Sequence, residues 1–194
     1  KKSYEKGKIL IAPSWSPSLP DYYEKYYSKI IDDLLKNDFQ IIFRPHPEHF
    51  KRFFGQYTNF SRKYIANSKI SFDTKKSLQE IFETCETIIT DWSGIAYEFV
   101  YASNRRVIFN DIPPKKLNSD ASVEEMFEYK YRNKIGLIYN LNQDISQTMI
   151  ELRKLNLDEK ETNNFFKNNF YNIGKSSKFI SKSIINILNN LNNQ

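Results

Sequence analysis

The stretch Thr87-Ile-Ile-Thr-Asp-Trp-Ser-Gly-Ile-Ala-Tyr-Glu-Phe99 decides the fold. Four residues rich in β-branched side chains, Thr87 to Thr90, read as a short buried strand, and Ser93 to Ala102 reads as a helix that starts with almost no intervening loop. A strand that runs so directly into a helix is half of a βαβ unit. Outward from this point the same alternation recurs. Lys8-Ile-Leu-Ile-Ala12 is a candidate strand ending at Pro13, and Gln40-Ile-Ile-Phe43 is the next. Between them, Asp21 to Asn37 places Tyr23, Tyr26, Tyr27, Ile30, Ile31, Leu34 and Leu35 at helical spacing,.

A helix over His49 to Tyr64, a strand at Lys69 to Phe72 and a helix over Ser77 to Thr84 continue the pattern. Beyond the opening stretch, Arg106 to Phe109 and Ile135 to Tyr139 are further strands, and Asp111-Ile-Pro-Pro114 is a break. Lys115 to Asp120 reads as a mobile surface loop. Apolar strands without strict alternation, separated by helices, predict a parallel sheet covered on both faces. The fold class is α/β, a doubly wound Rossmann-like parallel sheet. From Gln143 onward the pattern is helical, ending in a helix over Ser176 to Leu191, a C-terminal extension. We read residues 1–194 as a single domain.

The 194 residues carry 29 Lys+Arg and 23 Asp+Glu, a net charge of +6, and 15% are aromatic. Such a composition supplies a core and excludes general disorder. The excess of positive charge fits solvated lysine-rich helices, and it also fits polyanionic partners such as a nucleotide diphosphate or an anionic lipid surface. Nucleic acid is not expected, because no recognition-helix, zinc-finger or ribonucleoprotein signature accompanies the charge. The single cysteine, Cys85, excludes a disulfide within the chain and points to a cytoplasmic setting,. No run of residues is long and apolar enough to span a bilayer. The chain opens at Lys1 without an initiator, which fits a piece of a longer protein.

In a doubly wound sheet, ligands collect at the carboxyl ends of the strands. There, Asp91, Ser93 and Gly94 lead into a helix whose free amides and dipole suit a phosphate, and the alternative is a simple helix cap. Glu98, one turn along, is placed either for a ribose diol or for solvent. Arg44-Pro-His-Pro47 fixes His46 between two prolines, so that it can act as a base or donate to phosphate, with Arg44 offering a fork of donors. The alternative is a turn in which His46 only caps. His46 and His49 lack a third partner for zinc, and no metal or other cofactor is expected. Gly174-Lys175-Ser176-Ser177 places a cation and two hydroxyls at a helix start, suited to an anion or to ordinary capping.

Taken together, these segments resemble the C-terminal half of the CDP-glycerol glycerophosphotransferases of teichoic-acid-type polymer synthesis, which have a GT-B glycosyltransferase-like fold. The resemblance rests on Lys8 to Trp15, Ile42-Phe-Arg-Pro-His-Pro47, Ile88 to Phe99 and Gly174 to Ser177. It implies that His46 is one of two essential histidines and that Asp91, Ser93 and Gly94 surround the CDP diphosphate. It also implies that Ser176 and Ser177 lie near it with Lys175 beside them, and that Glu98 meets the ribose. Two positions depart from the family's Thr-Asp-Tyr-Ser-Ser pattern, Trp92 for Tyr and Gly94 for the second Ser. The family's other histidine, in a His-Gly motif, lies upstream, and no His-Gly occurs here. The implied whole is a two-domain transferase whose acceptor-binding domain precedes this one, with peripheral attachment to the inner face of the cell membrane. A GT-B glycosyltransferase using a sugar nucleotide for capsule or lipooligosaccharide, and a non-catalytic docking module, are the alternatives.

Overall fold

A computed structural model describes residues 4–16, 21–114 and 122–192. Part of the predicted loop from Pro13 to Pro20, and the predicted loop from Lys115 to Asp120, lie outside the described residues. The chain divides into two compact units, Lys1–Leu157 and Asp158–Gln194.

The first unit carries the sheet. Its strands are β1 (Glu5–Ile11), β2 (Gln40–Phe43), β3 (Ile70–Phe72), β4 (Cys85–Thr90), β5 (Val107–Asn110) and β6 (Gly136–Tyr139). The described residues form one parallel sheet in the order β3-β2-β1-β4-β5-β6. This is the doubly wound Rossmann order, in which successive crossovers run first one way from β1 and then the other from β4.

The first crossover is α1 (Tyr22–Lys36), which the sequence predicts from its apolar spacing. Tyr22, Tyr23, Tyr26, Tyr27, Ile30, Ile31 and Leu34 are all buried. They pack in one cluster with Ile9 and Ile11 of β1, Phe43 of β2 and Met149 of α8 (Ile145–Lys154). Full burial of each such side chain is worth roughly 1.5–3 kcal/mol, so this helix and the strands beneath it form the main body of the core. Strand alternation turns Leu10 and Ile88 to the opposite face, and both are fully buried,. On α4 (Leu78–Thr84) and α5 (Ile95–Ser103), Phe82 and Phe99 meet edge to face at 5.4 Å. Ser77 caps α4, its hydroxyl accepting from the Glu80 amide at 3.2 Å,.

The helix predicted over His49 to Tyr64 is two helices, α2 (Pro47–Arg52) and α3 (Phe54–Arg62). Phe53, with φ −124° and ψ 41°, leaves the helical region and separates them. The start lies earlier than predicted because Pro47 occupies the first turn, where its missing N–H costs nothing,. Between β5 and β6 the sequence shows no clear period. Here the structure has a 3₁₀ turn, Val123–Glu125, and two four-residue helices, α6 (Phe127–Lys130) and α7 (Arg132–Ile135).

The second unit contains α9 (Glu159–Asn169), capped by Asp158, and α10 (Ser176–Asn192). Gly174 between them has φ +71°, a left-handed conformation that favours glycine,.

At the edge of the sheet Gly136 serves close approach. A Cβ there would lie 2.2 Å from the Val107 carbonyl oxygen. Gly136→Ala should therefore force β6 away from β5 and lower stability by about 1–3 kcal/mol. Urea unfolding followed by far-UV circular dichroism measures this, and an unchanged midpoint would refute it.

Candidate functional site

β1 and β4 are neighbours whose crossovers diverge, so a crevice opens beyond their carboxyl ends,. Two short segments line it, Ala12 to Ser16 after β1 and Asp91 to Gly94 after β4. They are stitched together by backbone and side chain. The Ala12 amide donates to Ile89 at 2.9 Å, and the Thr90 hydroxyl donates to the Ala12 carbonyl at 2.6 Å.

Asp91 is 1% exposed, and its carboxylate is turned into the protein. It accepts from the Ser14 amide at 3.1 and 3.3 Å, from the Tyr27 hydroxyl at 2.5 Å and from the Tyr22 hydroxyl. Burial first, and the charge of Asp91 next, push both phenol pKa values well above their ordinary range, so both remain protonated donors,. Sequence reasoning placed Asp91 at this edge and missed its partners. The available signal was the pair of tyrosines in the buried stripe of α1, since a buried phenol needs a hydrogen-bond partner.

Ser93 and Gly94 lie at the start of α5. The Ser93 amide donates to the Asp91 carbonyl at 3.1 Å, and the Ile95 amide has only a 3.5 Å contact to the Ser93 hydroxyl. Among the described residues the Gly94 amide has no partner, and no side chain caps the helix. Glu98 is exposed on α5. Trp92 is buried, its indole N–H donating to the Ile112 carbonyl at 3.0 Å. Arg132, unnoticed in the sequence, is buried beside it, its guanidinium carbon 4.5 Å from the Trp92 ring centre and 4.7 Å from that of Tyr129. Asp111 lies 3.5 Å from Arg132 Nη1. The arrangement braces the turn after β4 against the turn after β5.

Arg44 follows β2 and is already engaged. Its Nη1 donates to Asp73 at 2.9 Å and to the Lys76 carbonyl at 2.7 Å, tying the loops after β2 and β3 together. His46 caps α2, its Nδ1 accepting from the Glu48 amide at 3.2 Å. An imidazole that accepts at Nδ1 in its neutral form carries its proton on Nε2. His49 is 1% exposed, with its ring 4.4 Å from Tyr23, 4.9 Å from Phe53 and 5.5 Å from Tyr22. Among the described residues neither of its ring nitrogens has a partner. Burial, with His46 adding to it, lowers its pKa to about 4.

Lys175, Ser176 and Ser177 belong to the second unit. The Ser176 hydroxyl donates to the Asn172 carbonyl at 2.9 Å, and the Ser177 carbonyl accepts from the Ser181 hydroxyl at 2.8 Å. All three residues are exposed. Among the described residues, no group of three or more His, Cys, Asp or Glu is placed to hold a metal ion, and no helix is long and apolar enough to cross a membrane.

The family profile described as CDP-Glycerol:Poly(glycerophosphate) glycerophosphotransferase matches residues 3–186. The chain belongs to this family. As expected from the motifs, this glycerophosphotransferase-family chain also matches the minor teichoic acid biosynthesis protein GgaB of Bacillus subtilis (strain 168), 28% identical over 126 residues. The match covers 52% of this chain and 13% of GgaB, so the chain spans a small part of that relative. Among solved structures, the UDP-GlcNAc 2-epimerase of Methanocaldococcus jannaschii, in complex with UDP-GlcNAc and UDP, is similar with a TM-score of 0.51 at 17% identity. The likeness covers 78% of this chain and 39% of the epimerase and supports the GT-B-type, doubly wound fold.

At the position where the family pattern has a second Ser, Gly94 has φ −60°, and a Cβ there would meet nothing within 4 Å. The family-domain fold therefore does not require glycine. Gly94→Ser should change stability by no more than about 0.5 kcal/mol, checked by thermal unfolding.

His49 has an ordinary pKa near 6.5 when unfolded and a lowered one, about 4, when folded,. Between these values the unfolded chain binds a proton that the folded chain refuses, so stability falls as pH drops from about 6.5 to about 4 and is fully retained above. Urea midpoints across this range should fall less steeply for His49→Phe than for the natural chain. Identical slopes would contradict this.

Proposed function

We propose that the first unit binds the nucleotide diphosphate of a CDP-linked polyol phosphate, with CDP-glycerol favoured, for transfer to a growing cell-surface polymer. The observation that carries this reading is the open turn from β4 into α5 at the switch point, in a chain whose family is defined by glycerophosphotransferases. The amides at Gly94 and Ile95 and the positive end of α5 are suited to phosphate oxygens.

Within this reading His46 is the catalytic residue contributed by the chain. Its Nδ1 accepts from the Glu48 amide in the cap of α2, and the ring acts as a donor to the leaving phosphate,. The acceptor hydroxyl attacks the β-phosphorus, the bond from that phosphorus to the bridging oxygen breaks, and CMP leaves. The base that takes the hydroxyl proton belongs to the upstream acceptor-binding domain. Arg44 shapes the rim through Asp73 and keeps a role at the phosphates only through the donors left over from that pair. Ser93 and Gly94 contact the diphosphate, and Glu98 meets the ribose. Lys175, Ser176 and Ser177, within the second unit, offer a cation and two hydroxyls of a kind that suits an anion. The cytoplasmic, peripheral-membrane setting follows from the polymer being made at the membrane.

Calorimetry of the 194-residue chain with CDP, CMP and UDP tests the donor. CDP should bind more tightly than UDP, and no heat at millimolar CDP would overturn the assignment. In the full-length transferase, His46→Ala should lower kcat by about 10²-fold or more, the cost of removing one donor to developing charge. Unimpaired transfer would remove His46 from the mechanism.

A further inference from the structure

Asp91 poses a problem for an anion site. It sits between the end of β4 and the first turn of α5, and a carboxylate facing the crevice would repel a diphosphate. The structure turns it inward instead and gives it donors from two other elements. One is the amide of Ser14 in the segment after β1; the others are the phenols of Tyr22 and Tyr27 on α1. Packing alone does not call for these hydroxyls. Both rings are fully buried among Phe43, Tyr23 and each other, positions that phenylalanine would fill as well. The Tyr27 hydroxyl donates to Asp91 and also interacts with the Tyr22 hydroxyl, which in turn lies 3.3 Å from Ser14 Oγ, so the two phenols and the carboxylate form one cluster. Both phenols donate to the carboxylate.

We propose that Tyr22 and Tyr27 are positioning residues of the donor site. They form a latch that draws the Asp91 carboxylate away from the crevice and fixes the turn from β4 into α5, together with the segment after β1, in the geometry that receives phosphate. The inference rests on the donor reading above. It makes Asp91 a structural anchor rather than a phosphate ligand, and it makes α1, which touches no substrate, a determinant of affinity. The latch is bracketed by the Thr90 to Ala12 bond on one side and the Trp92 to Ile112 bond on the other, so only its α1 side depends on the phenols.

The test uses Tyr27→Phe and Tyr22→Phe in the 194-residue chain, each of which keeps the ring and removes the hydroxyl. Amide hydrogen exchange and CDP titration are read on the same samples. Exchange at Ser14 and Ser93, whose amides donate to Asp91, should rise about tenfold relative to the amides of β2 and β3, and the Kd for CDP should rise by about tenfold, the scale of one lost charge-assisted hydrogen bond,. Uniform acceleration over the whole sheet, as from a mere loss of packing, would overturn the latch. Local acceleration with unchanged CDP affinity would also overturn the proposal while leaving the donor reading in place. Failure of the natural chain to bind CDP would overturn the donor reading itself, and the positioning role with it.

Discussion

β1 and β4 run side by side through the middle of the sheet, Leu10 beside Ile88 and Ile11 beside Ile89. The crossovers from these strands go to opposite flanks, so the backbone just past them cannot be covered by the same helix that covers the strands. That constraint creates the crevice. It also creates a difficulty, because two loops emerging at one place must be held together without a helix above them. The chain meets it with one buried charge. Asp91 collects donors from the segment after β1 and from α1, and among the described residues its carboxylate is held by hydrogen bonds and by no cation,.

The other strand ends show the same economy of polar groups. Arg44 binds Asp73 and a backbone carbonyl, and this closes the loops after β2 and β3 into one rim. On the far side, Arg132 lies against Trp92 and Tyr129 and close to Asp111. At the opposite end of β4, Glu86 is held by the fork of Arg153 at 2.6 and 2.9 Å and by the Gly7 amide at 2.6 Å. Burial would raise the Glu86 pKa, but these partners keep it below the ordinary value,. Buried charges in this unit thus join elements that the hydrophobic core alone leaves free to slide.

Much of this was legible in the sequence. The alternation of short apolar runs with amphipathic stretches gives the parallel sheet, and the buried stripe of α1 appears almost residue for residue. The break at Phe53 was not visible, since the apolar period runs on through it and only the backbone conformation changes. The helices between β5 and β6 were missed because four-residue helices carry too few turns to set a period. At the site, the motifs located Arg44, His46 and Asp91 at strand ends, yet a motif says nothing about which way a side chain faces. Capping and phosphate binding were alternatives for His46 in the sequence, and the structure has the cap formed through Nδ1. His49 lies in the first turns of α2, as its sequence position suggests, but the aromatic cage around its ring was not visible there.

We propose that the crevice between β1 and β4 receives a nucleotide diphosphate at the start of α5. Mapping of backbone amide shifts by ¹⁵N NMR during titration with CDP addresses it most directly. The largest changes should fall at Gly94 and Ile95, with changes at His46, while Gly7 and Glu86 at the other end of the sheet stay fixed. Changes centred on Gly7 and Glu86, or none at Gly94 and Ile95 at saturating CDP, would contradict the account.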